Sequence, residues 1–500
     1  MSFAEPRFLL FLPAALICYF ASPKRVRPYT LLAASLVFYW FAGGVFALLV
    51  ISATAVTVYL TALRLGALRR SDAPKRRRKA PLAACLALNF GLLFLFRYSG
   101  RLIPSLGLLL IPGISFYTFQ SAGYLIDAYR GKLEPERNIL KLALFISFFP
   151  QLVIGPISRH SQIADDLFAG HGWNWERARG GISRIIWGYF LKLVIADYAA
   201  VPVNAVISSY QNYGGAVIAF AVLLYSFQLY ADFAGGISIA IGVGKLVGVT
   251  MPENFAQPFF ARSLTDYWRR WHITLGAWLR DYLFYSLALS KPLGRLGRVT
   301  RRAFGANLGK MIPASVATFA VYIVMAVWHG LSFKTLAYGL LNGGLITLSL
   351  YFGPFWEKLR RVTKLDGGRG FGAVFATVRT FVLVVFLRYF ARAVSLRAAL
   401  SMLKRTLLRF EPRALLDGTL GTLGLTAGEY ATLAAAIVLL LARDAVAERA
   451  VKLGSNFESR LASARPAAQF LLTAAVLALI VYCGVYREGY IASQFIYAQY

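Results

Sequence analysis

Acidic residues, cysteine and histidine are all scarce in this 500-residue chain, and each scarcity removes a class of protein. Twenty-two Asp and Glu stand against 54 Lys and Arg, a formal net charge of +32. The basic residues fall in short loops between apolar stretches, most densely in RRSDAPKRRRK at 69–79. That pattern points to membrane orientation and away from nucleic acid. Cys18, Cys85 and Cys483 each lie in an apolar segment, too far apart for a metal-ligand pattern or a disulfide framework, and read as packing residues. The phosphate-binding glycine loop, the zinc signature and the GxSxG elbow are all missing, which removes the commonest soluble chemistries. With no internal repeat and no long Gly/Ser linker, residues 1–500 read as a single domain.

What is abundant is apolar sequence. Hydrophobic residues make up 58% of the chain and the mean hydropathy is +0.59, the composition of a polytopic membrane protein. Apolar stretches recur near 8–22, 29–62, 80–96, 102–128, 139–157, 182–207, 215–249, 311–352, 371–394, 429–442 and 467–485. At roughly 20 residues per crossing they predict about ten to fourteen membrane-associated helices in an all-α fold. The first stretch ends in SPKRVR with no small-residue cleavage site and reads as a retained helix. Placing the basic loops at 24–27, 64–79 and 449–465 in the cytoplasm makes 29–62 an out-and-back pair and puts both termini on the extracytoplasmic side. Basic residues at 397–409 read as part of an interfacial helix.

Within this apolar background the histidines are the candidates for chemistry. His329 lies in MIPASVATFAVYIVMAVWHGLSFKTLAYGLLNGGLITLSLYF, where Lys334 is the other ionisable side chain besides tyrosine. An ionisable group at such a place faces a polar cavity or a partner; position alone leaves a histidine bonded to a neighbouring helix as an equal alternative. ARSLTDYWRRWHITLGAWLRDYLFYSL, at 261–287, is the most polar and aromatic segment. At helical spacing Trp268, Trp271, Leu275, Trp278 and Tyr282 share one face, with Arg269, His272 and Gly276 on an adjacent one. Gly276, one turn from His272, leaves room for a ligand. His160 and His171 fall in a polar, turn-rich stretch and read as loop residues.

PENFAQPFFARSLTDYWRRWHITLGAWLRDYLF, followed 57 positions after its histidine by Trp328, His329 and Gly330, resembles the membrane-bound O-acyltransferase family in its bacterial polysaccharide-modifying branch. The resemblance extends in order through IPGISFYTFQSAGYLIDAYRG (111–131), FPQLVIGPISR (149–159), FQLYADFAGGISIAIG (227–242), FARAVSL (390–396) and the terminal FIYAQY (495–500). Its main motifs thus fall within 111–400. The chain departs from the alginate-type pattern at Asn342, where that branch has a second histidine, and in FAGGIS, where Gly236 and Ser238 replace a tyrosine and an acid; the GGNR stretch is absent. These departures bear on the acceptor more than on the chemistry.

The resemblance implies a trans-bilayer tunnel with His329 as the catalytic residue and His272 as the second polar position, and Trp328, Gly330, Gly276, Arg269, Trp271, Asn342 and Asp232 at the tunnel. Acyl transfer from a thioester to a hydroxyl needs a base for the hydroxyl proton, a role suited to the His329 imidazole. His272 would stabilise charge on the thioester carbonyl or leaving sulfur. The expected activity moves a short acyl group, acetyl first, from a cytoplasmic thioester donor (acetyl-CoA or an acyl carrier protein) to hydroxyls of a cell-envelope polysaccharide, directly or through a periplasmic partner transferase. No bound cofactor or metal is expected, and the location is the bacterial inner membrane. D-alanyl transfer to a teichoic-acid-like polymer is the rival within the class. A transporter or lipid flippase with a histidine proton relay is the rival outside it. Residues 486–500 are expected to be an extracytoplasmic tail, in which Tyr497 is either an aromatic-belt anchor or an acyl carrier.

Overall fold

The computed structural model describes residues 1–102, 111–363, 370–454, 465–485 and 495. The expected all-helical polytopic architecture is the one observed. Eight helices among the described residues are long and apolar enough to cross a membrane, and Pro6–Ala21 is a shorter apolar helix. No strand occurs among these residues; Phe255 and Trp271 make one isolated antiparallel bridge.

Two of the long helices reverse at a glycine. Arg27–Arg70 would run about 66 Å if straight, twice the hydrocarbon thickness of a bilayer. It breaks at Gly44, with φ 71° and ψ −174°, a conformation open to glycine. Tyr29 Oη accepts from Asn138 Nδ2 at 3.2 Å and Tyr59 Oη donates to Arg137 O at 2.7 Å. Side chains thirty positions apart thus meet consecutive residues, and the two legs form the expected out-and-back pair. In Lys291–His329 the break is Gly305, with φ 85° and ψ 175°. Gly309 abuts the backbone of Arg301, and Gly297 lies against Pro313, so this helix also folds back on itself.

The centre of the bundle is Gly215–Leu246, antiparallel to the helical stretch Trp175–Ser208. Glycines face glycines along the seam. A Cβ on Gly188 would meet Gly235 O at 2.6 Å, and one on Gly181 would meet Gly242 O at 2.8 Å. Small residues let the two backbones approach closely, the main source of helix cohesion where lipid replaces water. A π-helical turn, Leu191–Ala196, interrupts the seam. There Lys192 Nζ lies 2.8 Å from Asp232 Oδ1 and 3.0 Å from Asp197 Oδ1, all three side chains buried.

Loop contacts sort the ends of these helices into two faces. On one, Arg27 donates to His171 O, Arg69 pairs with Glu134, Arg130 donates to Asp281 O, Arg159 pairs with Asp281, and Arg184 pairs with Glu253. At the opposite ends, the Met1 ammonium donates to Phe41 O, Arg392 to Asn204 Oδ1 and Arg405 to Tyr213 O. The basic loops used to assign orientation in the sequence at 24–27 and 64–79 therefore share one face. The basic segment at 397–409 forms the helix Leu396–Leu408 on the other; it buries Ala398, Ala399 and Met402 and exposes Leu400, Leu407 and Leu408.

Candidate active site

The segment expected as one helix over 261–287 is instead broken at its histidine. Leu264–Arg270 is capped by Ser263 Oγ, which accepts from Asp266 N at 3.1 Å, and Ile273–Trp278 begins immediately after His272. Residues 254–256 run alongside the break: Ala256 N donates to Arg270 O and Ile273 N to Asn254 O, each at 3.0 Å. His272 consequently sits at φ 47° and ψ 53°, left-handed geometry that costs a non-glycine residue of order 1 kcal/mol and persists when surroundings enforce it. The two stripes drawn on a continuous helix do not exist. His272 is presented by a bend.

Asn254, fully buried, is the enforcing residue. Its Oδ1 accepts from Thr274 N at 3.1 Å and Thr274 Oγ1 at 2.9 Å, and lies 3.2 Å from His272 Nδ1. A backbone N–H can only donate, so this Asn atom is the oxygen, and the imidazole bonds to it only with a proton on Nδ1. In the neutral ring Nε2 then carries the lone pair. Burial, and next the neighbouring His329, hold the His272 pKa below the usual imidazole range, favouring that neutral form.

His329 closes Lys291–His329, and Gly330 follows at φ 153°, ψ 148°, a region essentially restricted to glycine. Thr335 Oγ1 donates to Gly330 O at 2.5 Å, and Ser332 caps the next helix, Phe333–Tyr351. The Trp328 ring centroid is 4.6 Å from that of His329 and 6.4 Å from that of His272. Arg97 lies 5.7 Å from the Trp328 ring, and Tyr98 Oη donates to Val327 O.

The two imidazoles, 57 positions apart, line one cavity of about 880 Å³. Arg269, Trp271, Gly276 and Gly330 line it as well. Of the other residues expected at the tunnel, Asn342 lies behind the wall, buried, accepting from Trp268 Nε1 at 3.1 Å. Trp328 backs both imidazoles without appearing in the lining. Asp232 is elsewhere, in the ion cluster with Lys192 and Asp197. Tyr497 lies outside the described residues. Among the described residues no group of three His, Cys, Asp or Glu could hold a metal.

Sequence reasoning did not single out Asn254 or Arg388. Asn254 stands in the quoted PENF motif, but its partner Thr274 is twenty positions away and the contact depends on the bend. Arg388, in Gly370–Arg392, is 3% exposed and lines the cavity. A charge inside the apolar stretch 371–394 was a legible signal for it.

Fold and site together define an integral membrane protein with a cavity among its helices that two imidazoles line. The chain belongs to the membrane-bound O-acyltransferase family. Residues 134–300 match the family, a segment that includes His272 and stops short of His329. The chain is 32% identical to the probable alginate O-acetylase of Pseudomonas aeruginosa over 419 residues, covering 80% of this chain and 74% of that protein. It is 28% identical to the peptidoglycan O-acetyltransferase of Helicobacter pylori, over 80% of this chain and 79% of that one. The teichoic acid D-alanyltransferase of Bacillus subtilis is 29% identical over 57% of this chain and 69% of its own length. The protein is an O-acyltransferase of a multi-pass membrane family whose named relatives act on alginate, peptidoglycan and teichoic acid.

Proposed function

We propose that the chain moves a short acyl group, acetyl, from a cytoplasmic thioester through the membrane to a hydroxyl of a cell-envelope polysaccharide, directly or through an extracytoplasmic partner transferase. The convergence of His272 and His329 on one cavity carries this reading. His329 takes the proton of the attacking hydroxyl as the C–O bond forms. The tetrahedral oxyanion then collapses, the C–S bond breaks, and the proton goes to the leaving sulfur, so ester and thiol are the products. His272 hydrogen-bonds the carbonyl oxygen or leaving sulfur. With Nδ1–H engaged by Asn254, the neutral ring offers only its Nε2 lone pair, so the contact it makes is with the leaving sulfur, from whose S–H it accepts once the sulfur is protonated. In the inner membrane of a bacterium, the face carrying the basic loops is cytoplasmic and both termini are extracytoplasmic.

Mass spectrometry of envelope polysaccharide from cells with and without the chain tests the reading. A 42 Da acetyl difference on the polymer is the expected result, taking roughly one added C2H2O per ester; no acyl difference overturns it, and an alanyl difference replaces acetyl transfer by D-alanylation. Whether Tyr497 carries the acyl group is read separately. Tyr497→Phe keeps the ring and removes the hydroxyl, so a carrier loses polymer acylation at unchanged protein level, while full acylation excludes that role.

A further inference from the structure

Between Asp281 and Glu357 the chain has no acidic residue, yet the first leg of the hairpin Lys291–His329 carries Lys291, Arg295, Arg298, Arg301 and Arg302. Spaced at i, i+4, i+7 and i+11, the side chains of Lys291, Arg295, Arg298 and Arg302 fall within about 60° of one another around the helix axis. All four are exposed. The opposite side of the leg is the packed one: Leu293, Leu296 and Gly297 are half-buried and Thr300 is buried. Thr300 Oγ1 lies 3.5 Å from Gly309 O, and Gly297 lies against Pro313 of the second leg. Among the described residues no ion pair or side-chain hydrogen bond involves the four cations.

The stripe runs at the depth of a membrane surface. The leg starts on the face of the basic loops, where Ser286 Oγ accepts from Arg130 Nη2 at 3.0 Å and Ser290 caps the helix. Two residues past Pro313, Ser315 Oγ lies 3.2 Å from Tyr351 Oη, and the exposed rings of Phe352, Phe355 and Trp356 follow Tyr351. Such a group of aromatic rings marks the headgroup level. Because Gly297 lies against Pro313, Arg295 and Arg298 sit near that level, with Lys291 and Arg302 to either side. A deeper position would put four cations in hydrocarbon, each at a high cost. Leu289, Val299 and Phe304, also exposed, add apolar surface at the ends and flank of the stripe. Cations bordered by such side chains are the pattern of a helix lying in the interface of a bilayer.

We propose that Lys291, Arg295, Arg298 and Arg302 form a binding surface for anionic phospholipid headgroups in the leaflet on the side of the basic loops. The four charges span about 16 Å along the helix, enough to reach more than one headgroup. Each guanidinium fork matches phosphate oxygens, and the lysine adds a point charge. An acidic soluble protein would meet the same charges, but the aromatic level and the flanking apolar side chains favour lipid. Lipid on the stripe pins the end of the helix remote from His329, and the surface is independent of the acyl-transfer reading.

The full chain in detergent is titrated with phosphatidylglycerol and, in parallel, with phosphatidylcholine, and bound lipids are counted by native mass spectrometry. Wild type should retain phosphatidylglycerol in preference to phosphatidylcholine. The triple variant Arg295→Gln, Arg298→Gln, Arg302→Gln should bind phosphatidylglycerol about a hundredfold more weakly, at roughly a factor of five per cation near a lipid surface, with phosphatidylcholine unchanged. Lysine at the same three positions should keep most of the affinity. Lys75→Gln, Arg76→Gln, Arg77→Gln removes equal charge from another basic loop and should leave the tight binding in place. Unchanged phosphatidylglycerol binding in the first triple variant, or equal losses in both, overturns the surface. If the first triple variant fails to fold, Arg295→Gln and Arg298→Gln are made singly, with about fivefold losses expected and no loss in either overturning it. An acidic acyl carrier protein added to the chain in phosphatidylcholine nanodiscs forms the last arm. If the first triple variant loses carrier-protein binding while keeping its phosphatidylglycerol affinity, the stripe docks a protein and the lipid assignment is wrong.

Discussion

The central helix pair and the helices around the cavity are both apolar by sequence, yet they are built for different ends. In the most apolar window of Gly215–Leu246, 83% of residues are buried, against 33% in Lys291–His329 and 28% in Gly370–Arg392. The first pair is joined by interlocking glycines and a buried lysine between two aspartates. The second pair carries His329 and Arg388 on its inner side and leaves a cavity of about 880 Å³ between itself and the bent segment that presents His272. Close backbone approach makes a rigid post, and withheld packing makes room for substrate. In the post the Lys192 ammonium meets two carboxylates, whereas at the cavity the Arg388 guanidinium donates to the Tyr267 and Tyr338 hydroxyls.

Substitutions at the two regions should therefore fail in different ways. The largest effect is expected for His329→Ala, which should lower acyl transfer about a thousandfold or more, within the range of a lost general base, with normal membrane insertion. His272→Ala should follow closely. Near wild-type turnover by purified His329→Ala protein would undermine the mechanism.

Glycine replacements separate the regions most cleanly. Gly188→Leu drives a side chain into Gly235 O and should destabilise the fold by roughly 3 kcal/mol or more, seen as loss of folded protein in membranes. Among the described residues, a Cβ at Gly276 would meet only Trp268 O, at 3.7 Å. Gly276→Ala should accordingly fold and stay active, while Gly276→Leu folds but fills the cavity beside His272 and loses transfer. Equal behaviour of the Gly188 and Gly276 leucine variants in thermal stability would erase the distinction.

Asp232→Asn sharpens the same contrast from the charged side. Leaving Lys192 with one carboxylate of two should reduce stability by about 3 kcal/mol, in keeping with broken buried ion pairs. Transfer per folded molecule should change little, because Asp232 is not at the cavity wall. A stable but inactive Asp232→Asn protein would return this aspartate to the site.

The smallest effect is expected for Asn254→Ala, which removes the acceptor for His272 Nδ1 and Thr274 without touching the cavity. Loss of orientation should lower kcat roughly 10- to 100-fold with little change in KM, a size typical of lost supporting contacts. Unaltered kcat in a folded Asn254→Ala enzyme would mean that the bend at His272 is kept by the backbone alone.

Much of this protein was determined by sequence alone. Apolar stretches of bilayer length force helices, because a backbone in hydrocarbon must bond to itself, and basic loops mark one face because positive charge resists translocation. Ordered motifs around His272 and His329 carried the family, and the out-and-back pair at 29–62 was legible from the basic loops on either side of it. Other features depended on which helices meet. Periodicity extends a helix through His272, and only the antiparallel run of residues 254–256 bends it there. The family resemblance put Asp232 at the tunnel, but in the fold its carboxylate meets Lys192, forty positions away. Arg388 and His329 belong to separate helices, and no local pattern reports that they line one cavity. Hydrophobicity and charge act residue by residue and can be read along a chain; tautomer, bend and cavity arise from contacts between distant segments, which tertiary packing alone decides.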